Sequence, residues 1–215
     1  NNLRMSHTLI CIVILCITVQ RSVLALYYPR NVVKILTVNN GCRWGDWHDP
    51  DFCAEGTFAA GYKMKIESDQ LKGDDTGLNA IVLQCKDATK SSYGGQVRSG
   101  SGNWGDWWGL STCASQTGTK DFLTAFSLQV ESPQGRYSDD TAANFVKFMC
   151  RDLQATVSQY ELAHPPGQGF WGFYGGWSQS CPINSAICGI QTRIEEPQRD
   201  NDDTALNDVR FFCCT

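Results

Sequence analysis

The sequence predicts an all-β fold in which three sheets pack as a triangular prism about a pseudo-threefold axis. Two observations predict it: one motif occurs three times at fixed spacing, and apolar residues alternate with polar ones inside every copy. A third, the spread of cysteines through the copies, predicts that the prism is stapled by disulfides.

Each copy opens on a Gly/Trp cluster: Trp44-Gly45-Asp46-Trp47, Trp104-Gly105-Asp106-Trp107, and Trp171-Gly172-Phe173-Tyr174-Gly175-Gly176-Trp177. A cysteine follows, at Cys53, Cys113 and Cys181, and then a stretch ending in Glu67, Glu131 or Glu195. An Asp-Asp-Thr block closes the copy. It runs from Asp74 through Thr76 and Asn79 to Cys85, from Asp139 through Thr141 and Asn144 to Cys150, and from Asp202 through Thr204 and Asn207 to Cys213. The offsets inside these blocks are identical, the mark of a repeat architecture. The copies span about 32–87, 93–152 and 155–215.

Period assigns the strands. Tyr62, Met64 and Ile66 alternate with Lys63, Lys65 and Glu67. Phe126, Leu128 and Val130 alternate with Ser127, Gln129 and Glu131, and Ile190, Thr192 and Ile194 with Gln191, Arg193 and Glu195. Such alternation puts one face in a core and the other toward water. The closing strands repeat it, with Ile81 and Leu83, Val146 and Phe148, and Val209 and Phe211 on the inner face. Segments ahead of the clusters, Val32 to Val38, Tyr93 to Arg98 and Ala155 to Leu162, are expected to add a first strand each. One such sheet leaves its apolar face bare; three bury those faces against each other.

The chain ahead of the repeats reads differently. Arg4 precedes an apolar run from Leu9 to Val19, and Val23-Leu24-Ala25 offers a cleavage site, so residues 1–25 are expected to be upstream residues and a secretory signal peptide. The run is short of the roughly 20 residues a membrane span needs. Residues 26–215 then form a single secreted domain. The whole chain carries 18 Lys and Arg against 22 Asp and Glu; residues 1–25 hold two of those basic groups, Arg4 and Arg21, and no acid, so the remainder carries about −6. An acidic chain without a basic stripe lacks the footprint of a nucleic-acid binder.

Of eleven cysteines, Cys11 and Cys16 fall in the expected signal, leaving nine. Behind a signal peptide these read as disulfides. Beyond residue 25 there is no Cys-x-x-Cys, and the histidines are His48 and His164, so neither a metal nor a cofactor is expected. Phosphate-loop, dinucleotide, zincin and Gly-x-Ser-x-Gly motifs are absent, as is an Asn-x-Ser/Thr sequon.

The Trp-Gly-x-Trp clusters, the Asp-Asp-Thr-x-x-Asn blocks and the ending Val209-Arg210-Phe211-Phe212-Cys213-Cys214 resemble the vitelline membrane outer layer protein I family. The resemblance extends from about Val32 to Thr215. It implies a β-prism of three Greek-key sheets, secretion, and a role in an extracellular coat such as that of eggs. It also implies an association with lysozyme-like transfer of N-acetylglucosamine oligosaccharides. Repeat logic pairs Cys53 with Cys85 and Cys113 with Cys150, each closing one sheet. In the third copy, Cys181 and Cys188 face Cys213 and Cys214 with two pairings open. Position in the repeat favours Cys181–Cys213, whereas strand parity, setting Cys188 on the face of Ile190, favours Cys188–Cys213. Each bridge closes a loop worth on the order of 3–4 kcal/mol. Cys42 has no counterpart and is the odd thiol.

Two functions follow. One is a secreted structural or interaction protein of an extracellular coat, binding matrix components or glycans. The other is a transferase or hydrolase of N-acetylglucosamine chains, which needs two carboxylates about 5 to 9 Å apart. Glu67, Glu131, Glu195, Asp75, Asp140 and Asp203 are the candidates, but Asp and Asn at a repeated turn also cap backbone N–H groups. Recurrence once per sheet favours that architectural role. The clusters divide likewise, between glycines and indoles filling sheet corners and indoles stacking on sugars. Trp108, Phe173 and Tyr174 break the repeat and are the ligand-binding candidates.

Overall fold

The computed structural model describes residues 28–70, 75–114, 120–132, 141–162, 167, 169–198 and 203–215. The expected signal peptide, Asp140 and His164 lie outside these residues. The described chain begins with β1 (Val32–Leu36), β2 (Asp46–Trp47), β3 (Asp51–Phe52), β4 (Thr57–Ile66) and β5 (Leu78–Asp87). It continues through β6 (Tyr93–Val97), β7 (Asp106–Trp107), β8 (Ser111–Thr112), β9 (Asp121–Val130) and β10 (Ala143–Asp152). It ends with β11 (Tyr160–Glu161), β12 (Phe173–Tyr174), β13 (Ala186–Ile194) and β14 (Leu206–Cys214). No helix occurs among the described residues.

These strands form three antiparallel sheets. The first runs β6-β5-β4-β7 with β8 also on β4, and the second runs β11-β10-β9-β12. The third runs β1-β14-β13-β2 with β3 also on β13. Each is a Greek key, three successive strands with a fourth returning beside the first; in the third sheet β1 and β2 supply the outer places from the other end of the sequence. The sequence copy and the sheet are therefore different units. Every Gly/Trp cluster pairs with the long hairpin of the preceding copy, and the first cluster closes onto the last hairpin.

The alternating residues build one core. Tyr62, Met64 and Ile66, Phe126, Leu128 and Val130, Ile190 and Ile194 all join it, as do Ile81, Leu83, Val146, Phe148, Val209 and Phe211. Sheets interlock through aromatic contacts: Tyr62 on Phe148 at 4.6 Å, Phe148 on Phe211 at 5.0 Å and Phe126 on Phe211 at 4.7 Å between ring centroids. The Tyr62 hydroxyl donates to the Val146 carbonyl across the core at 3.1 Å.

Each long hairpin carries two irregularities at equivalent places, one at Asn79, Asn144 or Asn207 beside the Asp-Asp-Thr turn and one at the far end. Ala60, Thr124 and Cys188 are skipped in the pairing, and their carbonyls accept the N–H groups of Cys113 (2.8 Å), Cys181 (2.8 Å) and Cys53 (2.7 Å). A bulge resets the side-chain alternation. Cys188 consequently leaves the face of Ile190 and joins Phe58, Phe122, Phe212 and Cys214 in a second cluster. The disulfides observed are Cys53–Cys85, Cys113–Cys150, Cys181–Cys213 and Cys188–Cys214. Cys188 pairs with Cys214 and not, as strand parity suggested, with Cys213, because parity is not conserved through the bulge.

Nor do the repeat cysteines close single sheets. Cys53 is bonded to the third sheet and bridges to β5 in the first; Cys113 is bonded to the first and bridges to β10 in the second; Cys181 is bonded to the second and bridges to β14 in the third. Three bridges thus tie the sheets into a ring. Cys42 is in none of the four disulfides; its N–H donates to the Asn207 carbonyl at 2.8 Å, as Gly102 does to Asn79.

Two first strands are close to expectation, but Ala155 to Leu162 yields only β11. Asp152 accepts Thr156 N–H, Thr156 Oγ1 and Val157 N–H at 3.0, 2.9 and 3.3 Å, and Ala155 has φ of 56°. That capped turn delays pairing until Tyr160.

Candidate functional site

The repeated carboxylates come first. Glu67 Oε2 accepts Thr76 N–H at 3.0 Å and Thr76 Oγ1 at 2.6 Å, and Oε1 accepts the Gln70 amide. Thr76 Oγ1 in turn accepts the Asn79 amide at 2.6 Å, and Asn79 Oδ1 accepts Trp104 N–H at 3.1 Å. Asp75 Oδ1 accepts Gln70 N–H at 3.0 Å. The second copy repeats the relay from Thr141 Oγ1 to Glu131 (2.7 Å), Asn144 to Thr141 (2.6 Å) and Trp171 N–H to Asn144 Oδ1 (3.2 Å). In the third, Thr204 donates to Glu195, Asn207 to Thr204 (2.6 Å), and Gln198 N–H to Asp203 Oδ1 (2.7 Å). The Glu carboxylates are thereby committed as acceptors that pin the turn onto the strand before it. A cavity beside Glu195, lined also by Thr76, Trp104 and Asp203, holds about 10 Å³, room for a single water and none for a sugar ring.

The Gly/Trp clusters are arranged differently from the expectation that indoles fill sheet corners. Trp44 and Trp104 are 46% and 48% exposed, and Trp107, Trp108 and Trp177 are also exposed. The large rings of the core come from the alternating strands instead. The glycines have the close approach the sequence suggested. Gly45, Gly105 and Gly172 have φ of 70°, 79° and 75°, and a Cβ on each would stand 2.1 to 2.4 Å from the backbone of Ile194, Ile66–Glu67 or Val130. With the backbone so close, the neighbouring aromatics lie out on the sheet surface.

There each sheet presents an aromatic ring beside a cation. Arg210 stacks on Trp47 of the third sheet at 3.9 Å. Lys147 lies 4.5 Å from the Tyr174 ring and 5.0 Å from Trp177 on the second. Lys63 lies 5.2 Å, and Arg98 6.0 Å, from Trp107 on the first. Lys63, Lys147 and Arg210 escaped the sequence reading because their ring partners come from another copy; their outward parity was the one available signal.

The candidates that break the repeat separate. Trp108 is on the first sheet, its N–H on the Met64 carbonyl at 2.8 Å. Phe173 and Tyr174 are on the second, opposite Val130 and Gln129. Phe173 holds the place of Asp46 and Asp106, opposite Ile194 and Ile66, and at 89% it is the most exposed large apolar side chain described. Phe170, Tyr174 and Trp177 are exposed near it in sequence. Lys147 is held by Glu161 at 3.1 Å. Burial, and then Glu161, push the Tyr174 phenol up, so it remains a neutral hydroxyl. His48 sits in the β2–β3 loop, 3.9 Å from Glu196. No cluster of metal-ligating side chains occurs among the described residues.

An all-β prism of three Greek-key sheets, ringed by disulfides and carrying aromatic outer faces, defines the class. The vitelline membrane outer layer protein I model matches residues 34–215, and the chain belongs to that family. It is 45% identical over 187 residues to the vitelline membrane outer layer protein 1 homolog of Mus musculus, covering 86% of this chain and 85% of that one. It is 42% identical over 181 residues to the Homo sapiens homolog, covering 84% and 82%. Among solved structures it is similar to Calsepa lectin in complex with a biantennary N-glycan, with TM-score 0.49, 14% identity, and 87% and 98% of the two chains covered. Single-chain recombinant jacalin gives TM-score 0.43 at 12% identity, covering 89% and 99%.

Proposed function

We propose that this protein is a secreted structural or interaction protein of an extracellular coat, and that it binds glycans through the aromatic face of its second sheet. One observation carries the reading: Phe173, standing where the other copies have Asp, is almost wholly exposed beside Tyr174. Exposing such a side chain forgoes apolar burial, and no other ring of the Gly/Trp clusters is as exposed. Aromatic rings present an apolar face to sugar C–H groups, while the Tyr174 hydroxyl supplies a polar handle. Four disulfides support an oxidising, extracellular setting, as does the apolar run at residues 9–19. Family membership supports the coat.

The test is retention on immobilised N-acetylglucosamine polymer and on mucin, with product analysis of N-acetylchitooligosaccharides by mass spectrometry. Saturable retention, lost in a Phe173→Ala/Tyr174→Ala variant, with oligosaccharides unchanged, is expected. No retention of the intact protein sinks the glycan reading; new chain lengths abolished by Glu67→Gln, Glu131→Gln or Glu195→Gln would establish the enzyme instead.

A further inference from the structure

On the outer face of the first sheet we infer a second, charge-selective saccharide site, one that takes anionic sugars. The inference rests on the glycan-binding reading and assigns a ligand class to a different face.

A groove of about 410 Å³ crosses this face, lined by Lys63, Val82, Gln96, Arg98, Trp107 and Asp51. Its volume lies in the range of small-ligand clefts. Trp107 forms an aromatic wall and is 40% exposed. Lys63 and Arg98 stand over that ring at 5.2 and 6.0 Å, and among the described residues neither belongs to an ion pair. The one carboxylate present, Asp51, is occupied: Oδ1 accepts Phe52 N–H at 2.9 Å and Oδ2 accepts Arg98 N–H at 3.0 Å. Two cations against one hydrogen-bonded anion make the groove locally positive on an acidic chain.

The other two sheets show why the groove is open here. Val82, opposite Lys63, holds the position that Arg210 holds opposite Gln191 and Lys147 holds opposite Ser127. On the third sheet Arg210 covers the Trp47 ring at 3.9 Å. On the second, Lys147 is neutralised by Glu161. With Val82 in that place, no cation stacks on Trp107 as closely as Arg210 does on Trp47; Lys63 and Arg98 stand farther off, at 5.2 and 6.0 Å. A pyranose can then lie on Trp107 while its carboxylate or sulfate meets Lys63 and the Arg98 guanidinium, whose planar donors match two anionic oxygens. The Gln96 amide, exposed in the same groove, suits hydroxyl groups. The indole wall favours a sugar over an acidic peptide, which has no flat apolar face to offer.

Titration calorimetry on the full protein tests this with three probes: a hyaluronan tetrasaccharide bearing carboxylates, a 6-sulfated N-acetylglucosamine disaccharide, and neutral N-acetylchitotetraose. At least one anionic probe is expected to bind with an affinity that falls as salt rises. Lys63→Gln/Arg98→Gln and Trp107→Ala are each expected to weaken it about tenfold or more and to leave neutral binding, which depends on Phe173 and Tyr174, unchanged. The stronger anionic probe identifies the acid. Unfolding midpoints equal to wild type certify both variants, and Lys63→Arg, which keeps the charge, is expected to retain binding. Anionic probes that bind no better than the neutral one, or that ignore the Lys63/Arg98 change, overturn this site while leaving the broader reading intact. Binding of poly-glutamate that matches the sugars and ignores Trp107→Ala overturns the saccharide assignment. A protein that binds no glycan, neutral or anionic, overturns both readings.

Discussion

Gly105 shows how one residue can be fixed by two constraints at once. It has φ of 79°, and a Cβ there would stand 2.4 Å from Glu67 N and the Ile66 carbonyl group. Gly56 has a similar φ of 75° with nothing within 4 Å. Gly56→Ala therefore carries only the left-handed penalty of about 1 kcal/mol, whereas Gly105→Ala adds overpacking for a total of about 2–4 kcal/mol. Chemical denaturation of the two variants checks the difference. Asp87 gives a pH prediction at the same scale. Hydrogen bonds from Lys90 N–H, then Thr89 Oγ1 and N–H, hold its carboxyl down to about 2 from an ordinary 3.8. A lowered native pKa means the unfolded chain binds the proton first, so this contribution is present above pH 3.8 and is lost as pH falls from 3.8 toward 2. Asp87→Asn should flatten that part of the melting-temperature profile; a wild-type slope in the variant would remove Asp87 as its source. The alternating core residues were legible in sequence because each must face inward whatever its partner strand. The exposure of Trp44 and Trp104 was not, since composition says only that indoles are bulky and usually buried.

At the scale of elements, the Asp-Asp-Thr turns test whether the repeated carboxylates are architecture. Thr76 Oγ1 both donates to Glu67 and accepts from Asn79. Thr76→Val keeps the shape but leaves two buried polar partners unmatched, which should cost about 1–3 kcal/mol. The matching changes Thr141→Val and Thr204→Val should cost similar amounts, measured by urea unfolding. An effect confined to one copy would point to a special role for that turn. The turns were recognisable from spacing alone, and so was the strand on either side. What escaped was the bulge at Ala60, Thr124 and Cys188: one unpaired residue reverses any inside–outside assignment carried back across it from the alternating stretch, and no residue type in those three positions announces it. The choice between Cys213 and Cys214 as partner for Cys188 turned on that single skipped residue.

For the whole molecule, repetition announced three sheets but not how copies share them. Sequence order groups each Gly/Trp cluster with the hairpin that follows it, whereas hydrogen bonding joins it to the hairpin before. That offset turns the three repeat disulfides into links between sheets and lets β1 and β2 complete the last sheet. It also sets Trp47, Trp107 and Tyr174 against Arg210, Lys63 and Lys147 of another copy, which is why the outer faces could not be assembled by reading along the chain. The division we propose is that carboxylates recurring in threes hold the prism together, while neutral glycans meet the exposed aromatics of the second sheet. Amide and indole NMR shifts on adding N-acetylchitotetraose test it most directly. Changes are expected at Phe173, Tyr174 and the Trp177 indole, with Thr76, Thr141 and Thr204 unmoved; shifts centred on those three threonines and their Glu partners, with Phe173 silent, would overturn the division.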